Sequence, residues 1–225
     1  MLQQDPNSSH RSHASESSLI TSAFAVAIVF AGSYLVSWLG NLLVLRPQMI
    51  WPLWPGCAFL VSVLLLTRNR ILWPALLLSG LAGFTFYDIQ IGLNVRSIFL
   101  FLLADTVETL VAASGMRFAF SGKPRLNSVV SLAQFSFFVI LAPMLVTPLF
   151  ARFLGGVYAA TWPISFLSDA LALLTLTPAV MSWPRTVLAR EKKPFSEYLE
   201  ATLMFLGLLI LSYLAFASST SGFRP

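Results

Sequence analysis

Long apolar runs separated by short polar links dominate this chain. Each run has enough apolar residues to cross about 30 Å of hydrocarbon as an α-helix. The runs cover residues 18–39, 49–66, 71–87, 97–116, 127–150, 163–183 and 199–218. The pattern predicts an all-α fold, a polytopic transmembrane helix bundle with about seven helices.

Two segments fall outside the apolar runs. Residues 1–17 are polar and rich in serine, and they lack apolar periodicity, which predicts a disordered cytoplasmic tail. Residues 18–218 then form one transmembrane domain, and residues 219–225 form a short C-terminal tail.

The composition supports a membrane protein. Of its 225 residues, 57% are hydrophobic and 10% are charged, whereas soluble domains have about 25% charged residues. The net charge of +5 comes from basic residues scattered over the links, which is typical of a topology signal rather than a nucleic-acid surface. We therefore expect a lipid bilayer as partner and no nucleic acid.

Basic residues are unevenly distributed between alternate links. Ten of the 14 lysines and arginines lie in the links on the N-terminal side of the bundle, and the other side has only Arg46, Arg96, Arg152 and Arg224. The positive-inside rule then places the N-terminus in the cytoplasm and the C-terminus outside after seven crossings. The expected location is the plasma (inner) membrane of a bacterium, as a multi-pass protein.

Five of the six tryptophans precede a proline near the end of a run: Trp51, Trp54, Trp73, Trp162 and Trp183. Tryptophan favours the headgroup region and proline is tolerated in a first helical turn, so these pairs are expected to mark helix boundaries.

Two acids interrupt the fourth run. Asp105 and Glu108 in "LADTVETLV" share a helical face with Ala112 and Gly115. Carboxylates rarely face lipid, because insertion scales assign an aspartate at the helix centre a cost of at least about 2.5 kcal/mol. We expect this stripe to face the bundle interior.

A third acid, Asp169, lies in the sixth run. Residues of a polar or small type share its helix at compatible spacing: Ser165, Ser168, Ala172 and Thr175. This stripe is also expected to face inward.

No lysine, arginine or histidine lies near mid-depth in any run, so the acids lack an obvious basic partner. They are either neutral groups that join helices through hydrogen bonds, or sites that hold a proton, a cation or a cationic ligand in sensing or coupling. Both interpretations stay open at this stage.

Other features have simpler interpretations. Pro143, Pro148 and Pro178 lie inside predicted helices and are expected to kink them. Ser79 and Gly83 form a small-residue contact face, and Asp88 with Arg96 is expected to be solvated beside the third link.

The sequence has no nucleotide loop, zinc motif or nucleophile elbow. Its single cysteine, Cys57, cannot form an internal disulfide or a cysteine-based metal site. We expect no enzyme activity, no metal and no cofactor in this chain.

Five stretches together resemble a known family: "IWPLWPGCAFLVSVLLL" (50–66), "ILWPALLLSGLAGFTFYD" (71–88), "LADTVETLVAA" (103–113), "PRLNSVVSLAQFSFFVILAP" (124–143) and "WPISFLSDALALLTLTPAVMSW" (162–183). Their order and spacing are similar to those of the bacterial membrane-associated sensor 1 domain. The resemblance implies an inner-membrane sensory module of about eight helices, normally joined to a cytoplasmic histidine kinase or diguanylate cyclase.

The family's features fall on residues that this chain retains: Trp54, Pro55, Gly56, Glu108 with its neighbour Asp105, Asp169 and Pro178. We therefore take Asp105, Glu108, Asp169, Trp54 and Pro55 as candidate signal-sensing or ligand-sensing residues. Asp105 stands where many relatives have Asn, and Ala172 where many have Gly. Relatives continue into another helix and an output domain, so a fragment, a truncated product and a free-standing sensor are all expected alternatives.

The leading hypothesis is a signal-input domain that couples an unknown stimulus to a cytoplasmic kinase or cyclic-dinucleotide output. A homo-oligomer or partner helices in the membrane are expected, together with an output domain or kinase partner. The alternatives are a small proton-coupled or ion-coupled transporter and a structural membrane scaffold.

Overall fold

A computed structural model describes residues 7–44, 53–67, 69–120, 128–154, 156–188 and 203. This part is helical and contains no strand. Its α-helices are α1 (Asn7–Leu42), α2 (Pro55–Leu66), α3 (Trp73–Gln90), α4 (Val95–Ala119), α5 (Val129–Leu154) and α6 (Gly156–Leu188). A 3-10 turn at Arg70–Leu72 precedes α3. The predicted all-α transmembrane bundle is confirmed.

The chain divides into two compact units, Met1–Trp183 and Pro184–Pro225. The first contains α1 to α5 and most of α6. Of the second, the described residues are the end of α6 and Leu203. The predicted seventh run, 199–218, therefore lies almost wholly outside the described residues.

Five of the described helices contain a segment long and apolar enough to span a membrane. The exception is α2, which has 12 residues and a length of about 18 Å. The predicted run 49–66 becomes helical at Pro55 because a proline disfavours helical geometry in the residue before it. Trp54 is accordingly extended, with φ −103° and ψ 98°.

Two helices are longer than the predicted runs. Residues 1–17 were expected to be a disordered tail, but α1 begins at Asn7. No glycine or proline follows Pro6 in that segment, so no residue there breaks the helix. In α6, Trp162 and Pro163 lie inside the helix rather than at its boundary, although the apolar span itself is Trp162–Met181.

Close contact between α1 and α3 depends on small residues. The Ser79 hydroxyl group donates to the Val26 carbonyl oxygen at 2.6 Å. A Cβ atom at Gly83 would lie 2.5 Å from the Phe30 carbonyl oxygen, so only glycine permits this backbone separation. The predicted small-residue contact at Ser79 and Gly83 is confirmed.

Helix α2 is the centre of the bundle. Leu60 and Leu64 pack in a cluster with residues of α1 and α3, whereas Ala58, Val61 and Leu65 pack in a second cluster with residues of α4, α5 and α6. Most of α2 is buried as a result. The element too short to span the membrane is therefore enclosed by the elements that do.

Helix α2 runs parallel to α4. Cys57 near its start contacts Asp105, whereas Leu64, Leu65 and Thr67 at its end contact Arg117. Asp105 lies ten residues after Val95, so α2 begins about 15 Å along α4. The amino end of α2 is thus located at the middle of a membrane-spanning helix.

Helix α5 continues through Pro143 and Pro148, and α6 continues through Pro178. The Thr147 hydroxyl group donates to the Pro143 carbonyl oxygen at 2.8 Å. Proline removes a helical hydrogen bond at each position, and the expected kinks stay a prediction.

Candidate functional site

The amino end of α2 meets the polar stripe of α4. The Cys57 thiol donates to Oδ1 of Asp105 at 3.4 Å, and it is also within hydrogen-bonding reach of Glu108. The indole ring of Trp54 lies near the Asp105 carboxyl group as well. The amino end of a short helix therefore contacts the Asp105 side chain, with the Cys57 thiol as the hydrogen-bond donor.

The sequence Trp54-Pro55-Gly56 explains why α2 begins at this depth. Trp54 is the N-cap residue and provides no side-chain cap, while Pro55 occupies the first turn, where its missing N–H would have no helical partner anyway. A Cβ atom at Gly56 would lie 3.0 Å from Phe84 Cζ and 3.1 Å from Trp54 Nε1. Gly56 thus allows α3 and the Trp54 ring to close over the amino end of α2.

Two further acids approach from other helices. Asp169 of α6 is close enough to Glu108 and Asp105 to interact electrostatically with both, and Asp88 of α3 interacts in the same way with Asp105. We call Asp88, Asp105, Glu108 and Asp169, together with Cys57, the acid cluster. Three helices thus contribute carboxyl groups to it, and α2 contributes the thiol.

Burial differs among the four carboxyl groups. Glu108 is 2% exposed and Asp88 is 8% exposed, whereas Asp105 and Asp169 are half-buried. Asp88 was expected to be solvated, and this expectation is wrong. It lies two residues before the end of α3, a helix whose Phe84 packs against Trp54 and which also contacts α4.

Oε1 of Glu108 has no hydrogen-bond partner among the described residues, and neither does the hydroxyl group of Ser168. The side chains described in this part of the bundle bring no basic residue to the acid cluster. The nearest arginine on α4, Arg117, lies nine residues after Glu108, about 13 Å along the helix, and its guanidinium group binds carbonyl oxygens of α2.

The arrangement does not have the geometry of a metal site. No group of three or more His, Cys, Asp or Glu side chains in the described residues converges closely enough to hold a metal ion. Carboxyl and thiol groups that are near one another, but not convergent, can still exchange protons and hydrogen bonds. This is the chemistry that the acid cluster offers.

The structure brings together most of the site residues proposed from the sequence. Asp105, Glu108 and Asp169 lie close enough to interact electrostatically, and Trp54 lies near Asp105 beside Pro55 at the amino end of α2. Ala112 of the α4 stripe is fully buried, and so is Ala172 of the α6 stripe, whereas Thr175 is exposed and its hydroxyl group donates to the Leu171 carbonyl oxygen. Pro143, Pro148 and Pro178 lie inside α5 and α6, and their proposed role stays a prediction.

Sequence reasoning missed Cys57 and Asp88 as members of the site. Cys57 was considered only as a possible metal ligand or disulfide partner, although it directly follows the Trp-Pro-Gly stretch. Asp88 was assigned to a link because it lies near the end of an apolar run. Its position one short link before α4 is the signal that could have placed it near Asp105.

Comparison with known proteins agrees with this architecture. The family model MASE1, the membrane-associated sensor 1 domain, matches residues 24–223. No curated protein and no solved structure shows significant similarity to the chain. Because the match covers nearly the whole chain, including all five residues of the acid cluster, the protein belongs to the MASE1 family of membrane sensory domains.

Proposed function

We propose that this chain is the signal-input domain of a bacterial signal-transduction protein, and that the acid cluster is where the stimulus acts. The domain lies in the inner membrane with its N-terminus in the cytoplasm, and it controls a cytoplasmic kinase or cyclic-dinucleotide output. Membership of a sensory family supports the input role. The catalytic step belongs to the output protein or domain.

The observation that supports this site most directly is the attachment of α2 at both ends to α4. Its amino end bonds to Asp105 through Cys57, and its carboxyl end accepts hydrogen bonds from Arg117. A change of charge or occupancy at Asp105 or Glu108 therefore acts on α2 directly. The Arg70–Leu72 turn connects the carboxyl end of α2 to α3. A displacement of α2 therefore also moves this connection, which lies beside Arg117.

For a ligand to switch the domain, it must bind one helix arrangement more tightly than another. Buried carboxyl groups provide that difference, because their free energy depends strongly on the distance to other charges at low dielectric constant. A displacement of α2 relative to α4 changes these distances for Asp105 and Glu108 together.

The test is a fusion of the full chain to a histidine kinase, with autophosphorylation measured in membrane vesicles. Asp105→Asn, Glu108→Gln and Asp169→Asn each keep the side-chain shape and remove one acid. We expect each to change the output at least about threefold, which corresponds to a shift of about 0.7 kcal/mol in a two-state equilibrium.

The matched control is Glu16→Gln, which removes an acid outside the apolar runs. It is expected to leave the output unchanged. Equal amounts of each variant in the membrane fraction establish that a changed output does not result from a lower amount of protein. Unchanged output in all three acid-cluster variants would show that the stimulus does not act through these side chains.

A further inference from the structure

Glu108 has the lowest exposure of the acids in the cluster, and among their described side chains only Glu108 has a fully buried oxygen without a partner. It is 2% exposed, and its Oε1 atom has no hydrogen-bond partner among the described residues. A charged carboxylate in that position lacks both solvent and a counter-ion. A protonated carboxyl group has an O–H group that can donate a hydrogen bond to a neighbouring oxygen atom.

The groups that face Glu108 favour a proton over other cations. They are Cys57 from α2, Asp105 from α4 and Asp169 from α6, and Asp88 of α3 interacts with Asp105. The described side chains of α1 have no charge, and those of α5 include only Arg152, near the end of that helix. The acids do not converge as metal ligands in the described part of the chain, and a proton needs no coordination shell.

Three of the four acids also form a path along the bundle. Asp88 lies two residues before the end of α3, beside the short link to α4. It interacts with Asp105, which in turn interacts with Glu108 one helical turn further along α4. Chains of acidic side chains inside transmembrane bundles are typical of proton relays.

We propose that the stimulus is the proton concentration on the Asp88 side of the membrane, and that Glu108 is the group that reversibly binds the proton. Binding forms an O–H bond at the Glu108 carboxylate, and release breaks it and returns the proton to water through Asp105 and Asp88. The inference rests on the proposed function, because it names the ligand of the same site.

Proton release has a structural consequence for α2. It adds a negative charge beside Asp105 and Asp169, and repulsion between like charges is strong in a medium of low dielectric constant. The Cys57 thiol, which donates to Asp105 and reaches Glu108, must redistribute its hydrogen bond. The amino end of α2 therefore moves or rotates, while Arg117 still binds the opposite end.

The test is infrared spectroscopy of the full chain in lipid nanodiscs over a pH titration. The wild-type protein is expected to show a protonated-carboxyl band that disappears as the pH rises. The S–H stretching band of Cys57, the single cysteine, is expected to shift over the same pH interval. Loss of the carboxyl band in Glu108→Gln, with Glu16→Gln as the control that keeps it, assigns the band to Glu108.

A titrating carboxyl band that is unchanged in Glu108→Gln would overturn the proposal, and so would the absence of any such band in the wild-type protein. If Glu108→Gln does not fold, Glu108→Asp decides the assignment. It retains a carboxyl group one methylene shorter, so the band is expected to move, and an unmoved band would again overturn the proposal.

This measurement needs no output domain, so the two proposals fail separately. A titrating Glu108 in a domain whose fused kinase ignores all three acid-cluster variants refutes the signalling role. A kinase that responds to those variants, in a domain without a titrating Glu108 band, refutes only the proton as ligand.

Discussion

Arg117 satisfies backbone groups that α2 cannot satisfy itself. The last carbonyl groups of a helix have no intrahelical partner, and Arg117 Nη2 donates to those of Leu65 at 2.9 Å and Thr67 at 2.7 Å. Its guanidinium group also lies 5.8 Å from the centre of the Trp73 ring. One side chain thus joins α4, the end of α2 and the start of α3.

We expect Arg117→Lys to lower the free energy of unfolding by about 1–3 kcal/mol, because a lysine side chain is shorter and lacks the planar group that lies over Trp73, so that a buried carbonyl group is left unpaired. Denaturation in detergent micelles, followed by circular dichroism, measures the change.

The control for Arg117 is Arg96→Lys. Arg96 is exposed and donates to a single carbonyl oxygen, that of Phe153, at 3.0 Å. Its replacement is expected to change the unfolding free energy by less than about 0.5 kcal/mol. Equal effects of the two substitutions would contradict the role assigned to Arg117 at the end of α2.

At the residue scale, the sequence indicated the inward acids but not all of their neighbours. Helical spacing placed Asp105 and Glu108 on one face, and the cost of a charge facing lipid turned that face inward. Neither argument applies to Cys57, which is apolar enough to pack anywhere, or to Asp88 near a helix end. Their inclusion depends on where α2 begins and how α3 meets α4, which are tertiary facts.

At the element scale, the contact of α1 with α3 depends on one missing side chain. A Cβ atom at Gly83 would meet backbone, the Phe30 carbonyl oxygen at 2.5 Å and the Tyr34 nitrogen at 3.1 Å. Backbone in a helix cannot move aside as a side chain does, so the two helices must separate. Gly83→Ala is expected to lower the unfolding free energy by about 1–3 kcal/mol, measured as above.

The adjacent residue provides the control for Gly83. Ala82 is exposed and lines an open apolar groove between α1 and α3, so Ala82→Leu adds a larger side chain without a clash. We expect little change in stability. A loss as large as that of Gly83→Ala would show that the added volume, rather than the helix separation, determines the effect.

The apolar pattern predicted the helices but not their lengths. Run 49–66 is apolar almost throughout, so hydropathy alone gives a full span, whereas the helix begins at Pro55. Proline in a first turn and the small Gly56 beside it were visible in the sequence. Their consequence, a helix that begins halfway across the bundle, became apparent only from the packing of Trp54 and Phe84 over that end.

At the scale of the whole molecule, the parallel packing of α2 and α4 constrains the topology. Helices α2 and α4 are separated in the chain by α3. If each of the three crosses the membrane, α2 and α4 must run in the same direction. The contacts of Cys57 with Asp105 and of Leu65 with Arg117 show this direction directly. Although α2 is short, it therefore has the direction of a crossing between α1 and α3, and we expect the ends of α3 to lie on opposite sides of the membrane.

This topology predicts where single cysteines react. Ile71 and Val95 flank α3 and are 84% and 83% exposed. The positive-inside rule places the link with Arg68 and Arg70 on the cytoplasmic side of the membrane. In a Cys57→Ser background, we therefore expect Ile71→Cys to react with a membrane-impermeant maleimide only in inverted vesicles, and Val95→Cys only in right-side-out vesicles. Phe118 is 92% exposed near the Arg117 end of α4, so Phe118→Cys should be labelled in the same vesicles as Ile71→Cys.

Reversed labelling would invert the proposed orientation but keep the bundle. Labelling of both Ile71→Cys and Val95→Cys from one side would show that α3 does not cross the membrane.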